Sequence, residues 1–162
     1  HLQTDEGRTY DVRILVQKNN IGLWQLTGMA ARIGKLGSIT SNLHGGGSAY
    51  ELLPVLQKQF EDKQAGEIMK SLSQLAMRIP LILEQYHGRL AELGIDIGID
   101  PFGKLWIIEV NSKPGHSSFS HFSDPSVSRS SISNPIHYAG YLLNKFKKNE
   151  VSLLPQAHRR VT

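Results

Sequence analysis

At 162 residues, 40% of them hydrophobic and 20% charged, the chain is long enough to bury one real core, and no apolar run approaches membrane-spanning length. The net charge of +4 with histidine neutral favours an anionic ligand such as a nucleotide or phosphate. The absence of cysteine excludes disulfides and thiolate metal sites, and is compatible with a cytoplasmic location, as is the lack of a secretory signal pattern. Basic residues are dispersed except for Lys145, Lys147, Lys148 and the tail pair Arg159 and Arg160. Lysines near a helix carboxy terminus are explained by the helix dipole, so neither a nucleic-acid nor a membrane partner is expected.

Residues 1–9 are polar and read as an irregular lead-in. Tyr10 to Lys18 alternates as a strand, Asn19-Asn20-Ile21-Gly22 signals a turn, and Leu23 to Ile33 reads as a second strand pairing back on the first. Gly34 to Gly47 carries five glycines, at 34, 37, 45, 46 and 47, which can let backbone approach a ligand closely. Ser48-Ala49-Tyr50-Glu51 matches a capping box and predicts a helix opening there, with Pro54 early in it. Ile68, Leu72, Leu75, Ala76, Ile79 and Leu83 recur at helical spacing, predicting an amphipathic helix over Gln64 to Gln85, bent or interrupted near Pro80. Residues 115–133 read as a serine-rich loop, a last helix runs from about Pro135 to Lys148, and the tail from Val151 is expected to be loose. The expected architecture is α+β: one unit over residues 1–150, an antiparallel sheet backed by helices, and a flexible tail over 151–162.

Between the long helix and the serine-rich segment, two apolar runs flank a Pro/Gly turn, Gly94-Ile95-Asp96-Ile97-Gly98-Ile99 and Leu105-Trp106-Ile107-Ile108-Glu109-Val110-Asn111. They predict a hairpin. With the turn centred on Phe102-Gly103, Asp96 lies opposite Glu109, and Asn111 shares the face of Glu109. Carboxylates facing each other on a sheet repel unless a cation lies between them. Two carboxylates and an amide oxygen suit Mg2+ together with water and substrate phosphates. A bulge at the turn would shift the register and weaken this pairing. Without a metal the same residues are the polar edge of an ordinary hairpin. Asp100 is the weaker candidate, since Asp opening a turn before Pro101 needs no further role.

Arg13, set among aliphatics, is either a solvated strand residue or a fixed clamp for phosphate, and Arg32 poses the same choice with less support. Lys113, in the turn Asn111-Ser112-Lys113-Pro114-Gly115, either reverses the chain or adds charge beside an anionic substrate. Ser41-Asn42-Leu43-His44-Gly45-Gly46-Gly47 reads as a linker or as a loop over an anionic ligand. His116 and His121 have no evident third ligand for a soft metal.

Together these segments resemble the carboxy-terminal part of an ATP-grasp domain. Asp96, Glu109-Val110-Asn111 and Pro114-Gly115 look like the family's Mg2+ motif, with an Asp-to-Glu spacing like that of the D-alanine ligases. Asp11-Val12-Arg13 and Ser41-Asn42-Leu43-His44-Gly45-Gly46 are similar to segments of the ribosomal-protein glutamate ligases. Thr27-Gly28-Met29-Ala30-Ala31-Arg32 and Gly37 to His44 look most like the endospore coat-associated ATP-grasp proteins of Bacillus relatives, the YheC/YheD type, over residues 4 to about 147.

The resemblance implies ATP and Mg2+ as cofactors and a carboxylate–amine ligase acting through an acylphosphate. Asp96, Glu109 and Asn111 would hold the metal. Arg13 would act catalytically on the transferring phosphate. Arg13, Ser41, Asn42 and Glu109 would contact ATP, and His44, Gly45, Gly46 and Lys113 the acceptor side. The alternative it implies is an inactive ATP-grasp fold kept as a structural or interaction protein of the spore, coat-associated rather than enzymatic. Thr40 stands where the glutamate ligases tend to carry an arginine. No glycine-rich lid, paired ATP-binding lysines or adenine hinge is found in the sequence, so a separate N-terminal ATP-grasp lobe is expected as a partner.

Overall fold

The computed structural model describes residues 9–35, 47–120, 122 and 124–153, the last five of these by their backbone alone. Five strands form one antiparallel sheet: β1 (Tyr10–Lys18), β2 (Trp24–Ile33), β3 (Ser48–Glu51), β4 (Glu92–Ile99) and β5 (Leu105–Asn111), in the order β3-β2-β1-β4-β5. The helices are α1 (Leu52–Leu56), α2 (Asp62–His87) and α3 (Pro125–Leu153), with a 3-10 turn at Ser117–Phe119. This is the expected α+β layer.

Alternation decides what each face of the sheet meets. Val12, Ile14 and Val16 of β1, with Leu93, Ile95, Ile97 and Ile99 of β4, point to one side. There they bury against Leu52, Val55 and Leu56 of α1 and Ala65, Ile68, Leu72, Ala76 and Ile79 of α2. The opposite face carries Leu15 and Ala30, covered by Phe119, Phe122 and Val127.

Four segments differ from the sequence reading. Ser48–Glu51 is a strand and not the start of a helix: it pairs with Ala30 to Ile33 of β2. The ladder claims the backbone there. Helix α1 starts only at Leu52, after Glu51, whose side chain makes no capping bond. Helix α2 runs unbroken through Pro80, whose ring is buried; it lacks only the bond that Pro80 cannot donate. The serine-rich segment is largely helix, since α3 begins at Pro125, ten residues before the expected start. Proline is favoured in a first helical turn, and Asp124 before it accepts hydrogen bonds from the Ser126 amide (2.8 Å) and hydroxyl (2.6 Å). Finally, α3 continues past Val151 to Leu153, where a loose tail was expected; residues 154–162 lie outside the described residues.

Two polar networks tie the layers together. Buried Gln17 donates to the Ser131 carbonyl (2.8 Å) and to Glu92 (2.9 Å). Its carbonyl oxygen accepts from the Thr27 hydroxyl (2.9 Å) and the Asn134 amide (3.2 Å). Its full hydrogen-bonding capacity is thereby used, two of the four bonds seating α3 on the sheet.

On the other side, Lys18 Nζ lies 2.5 Å from Glu84 Oε1 and over the rings of Trp24 and Tyr138. Burial works against the charge of Glu84, but hydrogen bonds from Lys18, the Trp24 indole and the Leu90 amide outweigh it and lower the pKa. A carboxyl whose folded pKa is depressed stabilises the fold fully above its ordinary value and loses that contribution as pH falls through the lowered one. Glu84→Gln should therefore cost about 1–3 kcal/mol near neutrality, leaving Lys18 buried without its counter-ion. In thermal melts against pH, the gap between variant and parent should close below pH 4.5, the ordinary value for the group. A gap constant down to strong acid would contradict this.

Candidate functional site

The sheet face opposite α2 carries a row of charge across three neighbouring strands. Arg13 of β1 pairs with Asp96 of β4, and Asp96 with Glu109 of β5. Asn111 follows on β5, opposite Gly94. The expected Asp96–Glu109 pairing is thus present, but it is reached by a different route. Near the turn the pairs are Ile99 with Leu105 and Ile97 with Ile107, which centre the reversal on Phe102. That register alone would set Asp96 against Ile108. A bulge between Asp96 and Ile97, taking up Ile108, restores Glu109 as the partner.

The turn explains why Asp100 is no rival. Its Oδ1 accepts from the amides of Phe102 and Lys104, both at 3.0 Å, and its Oδ2 from the Trp106 indole at 3.1 Å. These bonds, the indole first, hold its carboxyl below the usual range, and Gly103 at φ +83° completes the reversal.

Asp96 is far from idle. Arg13 Nε donates to its Oδ1 at 2.5 Å and Arg13 Nη2 to its Oδ2 at 3.1 Å. Arg32 Nη2 donates to the same Oδ2 at 2.8 Å. Arg32 is in turn held by Asp11, Nε to Oδ1 at 2.7 Å and Nη2 to Oδ2 at 2.6 Å. Asp11, Arg32 and Asp96 are 8%, 5% and 6% exposed, so the cluster is an interior one and its members need each other. For Arg32, burial opposes the charge, while the hydrogen bonds and charges of Asp11 and Asp96 overcome it and raise the pKa. Gly94 makes the arrangement possible: a Cβ there would stand 2.7 Å from Pro114 Cβ and 3.3 Å from Arg13 Nη1. Its bare backbone lets the turn after β5 and the Arg13 side chain close over β4.

Glu109 and Asn111 are exposed, and among the described residues the Glu109 carboxylate has no hydrogen-bond or ion-pair partner. Asn111 Oδ1 accepts from the Lys113 amide at 2.8 Å and keeps a second lone pair; the Lys113 side chain is exposed beside it. Among the described residues no three His, Cys, Asp or Glu side chains gather as a ready cage. The donors fit an open Mg2+ site: one free carboxylate, one amide oxygen, and a second carboxylate with roughly one of its four lone-pair positions left. His116 is bound to Glu92, Nε2 to Oε2 at 3.1 Å, and so is occupied in seating the turn. Ser41, Asn42, His44, Gly45, Gly46 and also His121 lie outside the described residues.

The structure thus brings together Arg13, Asp96, Glu109 and Asn111, with Lys113 at the margin. It adds Arg32 and Asp11 as partners of Asp96. The sequence held a faint signal for them: alternate acidic and basic residues on β1 and one arginine on the strand beside it. Register, which a bulge between Leu15 and Val16 shifts, was needed to align them.

Comparison with known proteins bears on the same segments. Endospore coat-associated protein YheD of Bacillus subtilis (strain 168) is 34% identical over 151 residues, 93% of this chain and 33% of that protein. Endospore coat-associated protein YheC of the same organism is 30% identical over 159 residues, 96% of this chain and 42% of that protein. The chain therefore spans between a third and about two-fifths of the length of these relatives. The model of the YheC/D-like ATP-grasp family matches residues 1–142, and with that match the chain belongs to this family.

Proposed function

We propose that the charged row is the cation- and phosphate-binding half of a nucleotide site in an ATP- and Mg2+-dependent carboxylate–amine ligase associated with the spore coat. The observation that carries this reading is the alignment of Arg13, Asp96 and Glu109 on adjacent strands, with Asn111 on the same face. Asp96, Glu109 and Asn111 would hold Mg2+, which when bound supplies charge neutralisation for the phosphates. Arg13 binds the terminal phosphate and spreads its charge, since a guanidinium fork matches phosphate oxygens. A substrate carboxylate oxygen bonds to the terminal phosphorus and ADP leaves, giving an acylphosphate. An amine nitrogen then bonds to the acyl carbon and phosphate leaves. Positioning and charge stabilisation are most of what such chemistry demands. Lys113, together with Ser41, Asn42, His44, Gly45 and Gly46, is assigned to the ATP and acceptor side by resemblance. The remaining lobe of the ATP site is a partner supplied from outside these residues.

Titration with Mg-ATP by calorimetry tests the reading. Binding should be weaker than roughly micromolar, should require Mg2+, and should fall about tenfold or more in Glu109→Gln, since even groups outside a coordination shell change affinity on that scale. Binding indifferent to both Mg2+ and Glu109→Gln would sink it. One observation favours a second reading, an inactive scaffold of the spore: Asp96 is already neutralised by two guanidiniums. Under that reading Glu109→Gln leaves the protein's role in the cell unchanged.

A further inference from the structure

The two arginines hold Asp96 unequally. Oδ2 accepts from both Arg13 and Arg32, whereas Oδ1 accepts from Arg13 alone. Arg32 is fixed from behind by two bonds to Asp11, and its side chain is only 6% exposed. Arg13 has no other acidic partner among the described residues, and its side chain is 13% exposed. A cation approaching from Glu109 therefore has one oxygen to compete for, Oδ1. Taking it weakens the short Arg13 Nε bond that shares this oxygen, leaves Arg13 chiefly its longer 3.1 Å bond to Oδ2, and puts a positive charge against its guanidinium. Arg32 has no comparable exit: leaving Asp96 would strand a buried N–H while Asp11 still held the rest of the group.

We infer that Asp11 and Arg32 are positioning residues that clamp Asp96, and that a divalent cation taking Asp96 Oδ1 releases Arg13 to an anionic ligand. The inference rests on reading Asp96 and Glu109 as the cation site and adds how that site is regulated. Without a cation, Arg13 is masked by Asp96 and an anion must compete for it. With a cation, Arg13 is unmasked beside the charge that the anion also seeks. Cation and phosphate are thus coupled through one carboxylate oxygen, and Asp11–Arg32 keeps Asp96 from leaving with Arg13.

The guanidinium Nε–H signals of protein labelled with 15N-arginine report this without any turnover. Both Arg13 and Arg32 should give slowly exchanging Nε–H signals in cation-free protein, assigned through Arg13→Lys. Saturating Mg2+ with no nucleotide should abolish that of Arg13 and keep that of Arg32. In Asp11→Asn, Mg2+ should abolish both. Affinity for Mn2+ alone should rise about tenfold in Arg13→Met, which removes the competitor, on the scale by which neighbours tune metal sites. It should fall in the charge-neutral double variant Asp11→Asn/Arg32→Met, where a bare charge effect would leave it unchanged. Persistence of the Arg13 signal at Mg2+ saturation overturns the inference alone, as does its loss together with that of Arg32 in the parent. An unchanged Mn2+ affinity in the double variant overturns the clamp. Absence of any Mn2+ binding to the parent overturns the cation site itself, and the inference with it.

Discussion

Arg32→Met is expected to destabilise the protein by about 3–5 kcal/mol, the cost of removing one partner from a buried ion cluster. In the chain Asp11–Arg32–Asp96–Arg13, Arg32 donates three hydrogen bonds and Arg13 two. Methionine fills similar space and returns none of them. Asp11 and Asp96 are both less than 10% exposed, so their charges cannot turn to water without opening the sheet. Changing Asp11 to Asn at the same time removes one of the two negative charges that Arg32 neutralises. The double variant should then regain part of the loss, a non-additivity that marks residues sharing one network. Urea denaturation of the four proteins of this cycle measures it. Strict additivity would mean that the cluster is a set of independent contacts.

Phe119→Ala is expected to cost about 3–5 kcal/mol, as large aromatic truncations in closed cores do. Phe119 is fully buried between Leu15 and Ala30 of the sheet, with Phe122 edge-on at 5.6 Å and its ring against Gly28. The cavity cannot readily collapse, because the backbone of β1 and β2 forms its floor. The effect should reach the site as well. Phe119 anchors the 3-10 turn that follows Pro114 and His116, and Pro114 lies over Gly94 beside Arg13. Loss of Phe119 should therefore shift the Arg13 Nε–H signal in protein that remains folded, besides lowering the denaturation midpoint. A destabilised variant with that signal unmoved would separate the core from the site.

Much of the fold was legible in the residues. Strand β1 was read to its exact bounds and β2 to within one residue, because alternation there is clean and Asn-Asn-Ile-Gly is a strong turn. Helix α2 was legible from its apolar stripe, although Pro80 suggested a bend or break; the helix is continuous there, with Pro80 buried. The serine-rich start of α3 was not legible. Its stability comes from Ser131 and Asn134 meeting Gln17 across the sheet, an interaction with no signature in local composition. Ser48–Glu51 failed for the same reason: a capping-box pattern yielded to a strand partner, β2, about eighteen residues earlier. At the site, the carboxylate pair was legible from spacing, yet its register depends on a bulge that no spacing encodes.

By itself the sequence determined the chemistry available: two carboxylates and an amide oxygen on one hairpin, an arginine among aliphatics, no thiols, a modest positive charge, and motifs that resemble one family. Those follow from residue type and a period of two, both local properties. Only the tertiary structure decided who holds whom. It set Arg13, Arg32 and Asp11 around Asp96, because the β1–β2 hairpin and the distant strand β4 must align in register before a guanidinium can reach a carboxylate. Hydrogen bonds of under 3 Å between residues 21 to 83 positions apart are products of that alignment.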